Sequence, residues 1–254
     1  MFKKLIPDVI KKQIMLLRHA GNKYKCPICG NKAKDFYPIG HDVPVLTEKQ
    51  VSGAGLRNAG CYKCKSSDRE RLIYTYLVEK IDLLNQPKNT RILHLAPEKN
   101  ISRILHNHEF SHYVCGDLFT PGYHYPEYVR NMNVLDIPFE DDYFDLIICN
   151  HLLEHVPNDV DAMKELYRVL KPGGQAILQV PFSKNSEKTF EDYSVTDPAE
   201  REMVFGQFDH VRIYGEDYFE RLESVGFTMK RINISEEFSK YGVAKEEDIF
   251  IGMK

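Results

Sequence analysis

From Asp145 to Leu178 the chain reads DLIICNHLLEHVPNDVDAMKELYRVLKPGGQAIL. Leu146–Asn150, apolar up to Cys149, has the length of a buried strand, and Ala162–Leu170 carries apolar positions at helical spacing. Lys171–Gly174 reads as a turn whose two glycines are free to take positive φ. Ala176–Val180 is the next strand. The same alternation begins near Thr90: strand Arg91–Ala96, helix Ile101–His106, strand His112–Cys115 and a short strand Asn133–Leu135. It resumes with helix Tyr218–Val225, closed by Gly226, and strands Thr228–Ile232 and Ile249–Met253. Seven strands with helices between them predict an α/β fold: a mostly parallel sheet covered by helices on both faces.

Such sheets bind ligands beyond the carboxyl ends of their strands. The residues predicted there are Ala96-Pro97-Glu98, Asp117, Asp136, Asn150 with His151, and Pro181-Phe182. A carboxylate after the second strand of a nucleotide-binding sheet can accept both ribose hydroxyls. One after the third can take the exocyclic amine of adenine. Asp117 and Asp136 have those positions, followed by Leu118 and Ile137; as single residues either is equally an ordinary loop aspartate. Residues 183–214 are polar and without periodicity, and read as an insertion or lid over the same edge.

Upstream of the sheet the pattern changes. Asp68–Lys80 places Leu72, Ile73, Tyr76 and Leu77 at helical spacing, so residues 68–89 read as a connecting helix and linker. Residues 26–67 contain Cys26-Pro-Ile-Cys29 and Cys61-Tyr-Lys-Cys64, separated by 31 residues. Two such knuckles supply four thiolates in the tetrahedron that suits a structural Zn²⁺. Two disulfides are the competing reading. The basic start of the chain lacks the uninterrupted apolar core and cleavage site of a secretory signal, which favours the metal and a cytoplasmic location. Cys115 and Cys149 sit in apolar strands, as small hydrophobes do.

The net charge of −3 hides an asymmetry: residues 1–25 carry +6 and the rest −9. That balance argues against a general nucleic-acid binder. The basic, amphipathic segment 1–25 reads either as a solvated helix lying on the domain or as a peripheral contact with an anionic membrane or acidic partner. No apolar run is long enough to span a bilayer.

FEDDYFDLIICNHLLEHV followed by LYRVLKPGGQAIL resembles the central motifs of class I S-adenosylmethionine-dependent methyltransferases, in particular the type 11 group. The cysteine module, LHLAPE and FGQFDHVRIYG are similar to a narrower subgroup with an N-terminal zinc ribbon. The resemblance implies a Rossmann-like methyltransferase domain over residues 90–254. It implies S-adenosylmethionine held by Ala96, Glu98, Asp117, Leu118, Asp136, Ile137, Asn150 and His151, and a small-molecule or glycan acceptor. An RNA or protein substrate docked by the module, and a non-catalytic binding protein, are the alternatives. One departure stands out. The family's first motif is an acidic residue followed by a GxGxG loop; here the matching positions are His94, Ala96, Glu98 and Asn100. Glu98 is expected either to contact the cofactor's amino group or sulfonium, or to mark a loop that binds cofactor weakly. His151 and His210 are the candidate catalytic bases, with Asp209 placed to orient His210. His155 is expected to pack structurally at the start of a helix.

Overall fold

The structure is a computed structural model that describes residues 7–254 except Glu109 and Tyr123. Lys3 and Lys4 of the basic N-terminal segment therefore lie outside the described residues. The central sheet has seven strands: β1 (Arg91–Leu95), β2 (His112–Asp117), β3 (Val129–Asn131), β4 (Phe144–Cys149), β5 (Leu170–Ile177), β6 (Thr228–Ile232) and β7 (Ile249–Met253). Their order is β6-β7-β5-β4-β1-β2-β3, with only β7 antiparallel to its neighbours. The expected Rossmann-like α/β architecture is borne out. The innermost strands are buried on both faces, which is why RILHL and FDLIIC read as near-continuous apolar runs.

Alternate residues of those strands serve two cores. Leu93 and Ile147 face one, completed by Met163 and Leu166 of α4 (Asp159–Val169) and Leu222 of α6 (Asp217–Ser224). Ile92, Leu146 and Ile148 face the other, under Ile101 and Leu105 of α3 (Lys99–Asn107). Leu72, Ile73, Tyr76 and Leu77 of α2 (Asp68–Thr75) and its π-helical extension Tyr76–Lys80 also enter that second core. The segment expected to connect module and domain is thus part of the domain's own packing.

Three local expectations are corrected. The third strand is Val129–Asn131, not Asn133–Leu135, because Cys115–Asp117 pairs with Val129–Asn131. Residues 133–136 turn instead: the Asn133 side chain accepts the Leu135 N–H, and Asp136 N–H donates to the Asn133 carbonyl. Lys171–Gly174 is a bulge inside β5, where Leu170 and Gln175 oppose Phe144 and Leu146, and Gly173 takes φ +80°. The insertion is not a plain loop. It contains α5 (Pro198–Phe205), capped by Asp197 and closed by Gly206, and an antiparallel pairing of Phe190–Glu191 with Arg212–Ile213.

The N-terminal module has two small antiparallel pairs, Ala20–Lys25 with Lys32–Ala33 and Tyr37–Ile39 with Arg57–Gly60. It is joined to the insertion by an apolar cluster in which Val43, Val45 and Val51 meet Val195, Phe205 and Ile213. Ahead of it, α1 (Asp8–Arg18) buries none of its residues.

Candidate active site

At the carboxyl edge of the parallel strands lies a cavity of about 480 Å³, within the range of small-molecule sites. One end is lined by Asp117 and Leu118 from the end of β2 and by Met132, Asn133 and Val134 after β3. Ala96, after β1, forms the middle. His151, Leu152 and His155 after β4, with Phe208 and Asp209 of the insertion, form the other end. Ala96 (φ +45°) and His151 (φ +54°) both hold left-handed backbone. That conformation costs a non-glycine residue on the order of 1–3 kcal/mol and tends to persist at working sites.

Four of the residues expected at the cofactor site, Ala96, Asp117, Leu118 and His151, are brought together on this cavity. Glu98 and Asn150 lie behind it. Glu98 accepts hydrogen bonds from His94 Nε2 (2.7 Å) and Asn150 Nδ2 (2.8 Å), and His94 Nδ1 meets the Tyr113 hydroxyl at 2.9 Å. Burial opposes ionisation of Glu98, but the His94 and Asn150 contacts hold its carboxyl below the usual range. His94 and Glu98 thus satisfy each other. Glu98 is not among the residues that line the cavity. Asp136 and Ile137 line a separate open depression with Phe139 and Arg168. Their place at the cavity is taken by Asn133 and Val134, which the misplaced third strand had concealed.

His210 is buried behind the cavity wall. Its Nδ1 faces the Phe205 carbonyl at 3.4 Å and its Nε2 lies 3.9 Å from Glu154 Oε1. Burial pushes its pKa down to about 4, against the pull of the Glu154 charge. Asp209 does not orient His210. It faces His155, with 3.4 Å between Asp209 Oδ2 and His155 Nδ1, and His155 stacks edge-on against His210. Glu154, which the sequence reading passed over, is only 1% exposed. Burial alone would raise its carboxyl; the surrounding His151, His155 and His210 bring it to about 2.

The module reaches this site through the start of α2. Ser67 caps the helix by accepting the Glu70 N–H. The Glu70 carboxylate accepts from the Asn100 N–H (2.9 Å) and Asn100 Nδ2 (3.0 Å), fastening the loop after β1. Arg69 donates to His151 Nδ1 at 2.6 Å. That makes His151 Nδ1 an acceptor, so the neutral ring carries its proton on Nε2. Within the module, Cys26 and Cys64 Sγ are 3.7 Å apart, as are Cys29 and Cys61. Four thiolates around a metal at ~2.3 Å would be spaced about 3.8 Å apart. All four cysteines are free, far beyond disulfide length.

Residues 101–178 match the sequence profile of the methyltransferase domain family. Over this stretch the chain is similar to methyltransferase domains. The matched stretch runs from α3 to the end of β5 and so includes Asp117, Asn133, His151 and His155 of the cavity. The domain is 36% identical over 89 residues to the ubiquinone/menaquinone biosynthesis C-methyltransferase UbiE of Vibrio vulnificus, covering 33% of this chain and 34% of that protein. It is 41% identical over 66 residues to an uncharacterised protein of Methanocaldococcus jannaschii, covering 25% and 28%. The chain thus spans about a third of the length of the curated relatives it matches. Among solved structures it is similar to a SAM dependent methyltransferase from Archaeoglobus fulgidus, with 13% identity, a TM-score of 0.45, and coverage of 72% and 93% of the two chains.

Proposed function

We propose that the protein transfers a methyl group from S-adenosylmethionine to a small-molecule or saccharide acceptor by in-line displacement. The observation that carries this reading is the two-ended cavity: a carboxylate and an amide at the β2–β3 end, and two histidines at the end beneath the insertion. In this reading Asp117 accepts the ribose hydroxyls, Leu118 and Val134 sandwich the adenine, and Asn133 meets its edge. Asp136 and Ile137, held off the cavity by the 133–136 turn, make no cofactor contact, and Glu98 with Asn150 braces the first loop from behind. The sulfonium is already activated, so the cofactor supplies the chemistry. The protein's part is alignment and exclusion of water. Bound there, S-adenosylmethionine would supply the methyl and leave as S-adenosylhomocysteine, its sulfur keeping the C–S electron pair, while the acceptor's proton would pass to water. With Arg69 on its Nδ1, His151 serves as an Nε2–H donor in this site rather than as the base. The relative named as a C-methyltransferase of quinone biosynthesis supports a small acceptor. Cys26, Cys29, Cys61 and Cys64 hold a structural Zn²⁺ whose role is to fix the module.

Calorimetry tests the cofactor assignment. Wild type is expected to bind S-adenosylmethionine and S-adenosylhomocysteine, and Asp117→Ala to weaken both about 100-fold, the loss of charge-assisted hydrogen bonds worth roughly 2–3 kcal/mol. Wild-type protein that binds neither at millimolar concentration would leave a non-catalytic fold. Steep salt dependence of binding to bulk RNA would point instead to a macromolecular substrate.

The exposed helix α1 favours an accompanying membrane contact. Ile10, Ile14 and Leu17 lie at i, i+4 and i+7, and Leu17 is 78% exposed. Lys11, Lys12 and Arg18 flank them. No helix among the described residues is long and apolar enough to cross a membrane, so this contact is peripheral. Cosedimentation is expected with vesicles containing phosphatidylglycerol and not with pure phosphatidylcholine. Leu17→Asp should reduce the bound fraction several-fold. Equal recovery with both vesicle types would remove the idea.

A further inference from the structure

We infer that Glu154, His155 and His210 form a second metal site, for a divalent transition ion, in the wall of the cavity at its insertion end. This goes beyond the methyl-transfer reading, and the binding can be measured without it.

The starting observation is a buried carboxylate with nothing to satisfy it. Neither oxygen of Glu154 has a hydrogen-bond partner. Leaving such a group bare in the interior costs several kcal/mol. Three imidazoles surround it, yet none completes a hydrogen bond. His151 Nδ1 stands 3.6 Å away and already accepts from Arg69, and His210 Nε2 stands 3.9 Å away. One ligand atom each from Glu154, His155 and His210 fall within 4.8 Å of one another. An ion at ~2.1 Å from each would draw them to about 3.4 Å, a contraction within reach of side-chain torsions.

The outer contacts of the two histidines also fit a metal. Metal-bound imidazoles usually hand their other N–H to a carboxylate or a backbone carbonyl. His155 Nδ1 faces both the Asp209 carboxylate (3.4 Å) and the Asp209 carbonyl (3.3 Å), and His210 Nδ1 faces the Phe205 carbonyl. The two segments that carry the donors are held in register. Val211 N–H donates to the Glu154 carbonyl at 3.0 Å, and Arg212 donates to the carbonyls of Leu153, Val156 and Pro157.

Two imidazoles and one carboxylate are the donor set of open zinc and iron sites, unlike the closed four-sulfur cluster of the module. His155 and Asp209 both line the cavity. Through His155 the site therefore adjoins the space where the proposed function seats the acceptor. An ion there would select acceptors that offer a hydroxyl or carbonyl oxygen.

The test is a titration of the full chain, its module zinc in place, with Mn²⁺ followed by the electron paramagnetic resonance signal of the free ion. One Mn²⁺ per chain is expected to bind in the micromolar range and to be displaced by Zn²⁺. The near-isosteric Glu154→Gln should weaken it at least 100-fold. Asp209→Ala, at the exposed rim, should weaken it about 10-fold through loss of the outer contact, and does not depend on the buried variant folding. Wild-type protein that leaves Mn²⁺ free at millimolar concentration overturns the site, as does Glu154→Gln binding the ion unchanged. Because the readout involves no S-adenosylmethionine, either result is separable from the fate of the cofactor assignment.

Discussion

Cys61→Ser is expected to strip the zinc from the N-terminal module and unfold residues 20–66 while leaving the central sheet intact. Cys26, Cys61 and Phe36 form the small apolar cluster at the module's centre, with Tyr24, Ile28, Cys29 and Cys64 packed around them. So small a cluster cannot offset the entropy of ordering its loops. Metal ligation contributes on the order of 10–16 kcal/mol in such knuckles and is in practice the folding energy. The damage should reach the site, because the knuckle sets the start of α2. Cys61 N–H donates to the Ser66 carbonyl, and Asn100 Nδ2 reaches the Cys64 carbonyl. Releasing these frees Glu70 from the loop after β1 and Arg69 from His151. Metal analysis should show the loss of one zinc per chain relative to wild type, limited proteolysis should cut before Ser67, and S-adenosylhomocysteine affinity should drop about 10-fold. Cys115→Ser is the control. Cys115 is buried in β2, outside the four-sulfur group. Retention of zinc by Cys61→Ser would show that the four sulfurs do not act as one site.

The sheet was legible because β1 and β4 are enclosed on both faces and so advertise themselves as apolar runs. Asp117 was legible because β2 ends in Gly-Asp at a position where a polar residue has few other reasons to follow a buried strand. Asn133 was not. β3 is three residues long with two of them exposed, so its burial left no periodic trace. The neighbouring Asn133–Leu135 looked more strand-like than it is, and the apparent strand end slid onto Asp136. The helix α5 was hidden for a related reason. Asp197, Pro198 and Glu200 are start signals, but only Phe205 of the helix is buried and Met203 points to solvent, so no amphipathic stripe accompanied them. Glu154 was missed because its meaning is tertiary. In the string LEHV it resembles any glutamate at a helix start, and its partner His210 arrives from the insertion across a long loop. The pairing of Asp209 with His155 rather than with adjacent His210 is likewise invisible in sequence, since it depends on the turn at 207–210, where His210 N–H donates to the Gln207 carbonyl.

Arg212→Met is expected to destabilise the folded protein by about 3–5 kcal/mol, the usual loss when one partner of a buried ionic network is removed. Arg212 is 0% exposed. Its guanidinium donates to Glu191 Oε2 (2.9 Å), the Tyr193 hydroxyl (2.6 Å) and the carbonyls of Leu153 (3.0 Å), Val156 (2.6 Å) and Pro157 (2.9 Å). It therefore bolts the insertion to the segment that carries Glu154 and His155. Methionine fills similar volume and satisfies none of those acceptors: the Val156 carbonyl and Glu191 lose the arginine outright, while the carbonyls of Leu153 and Pro157 keep only the hydroxyls of Tyr214 and Tyr193. In a thermal melt this corresponds to a Tm lower by roughly 10 °C. Acid sensitivity should change with it. Burial opposes ionisation of Glu191, but Arg221 and Arg212 hold its pKa at about 2 against an ordinary 4.5. A carboxyl whose pKa is lower in the folded chain adds stability above its unfolded pKa and loses it as the pH falls toward the folded value. Wild type should thus lose this contribution between about pH 5 and pH 2. With only Arg221 left beside Glu191, Arg212→Met should lose less over that window, so its stability curve against pH is flatter. Arg212→Lys should recover little, because an ammonium cannot span acceptors spread over both edges of a planar fork. A loss below 1 kcal/mol, or an unchanged acid limb, would mean that the insertion is held by the apolar contacts of Phe205 and Ile213 and not by this arginine.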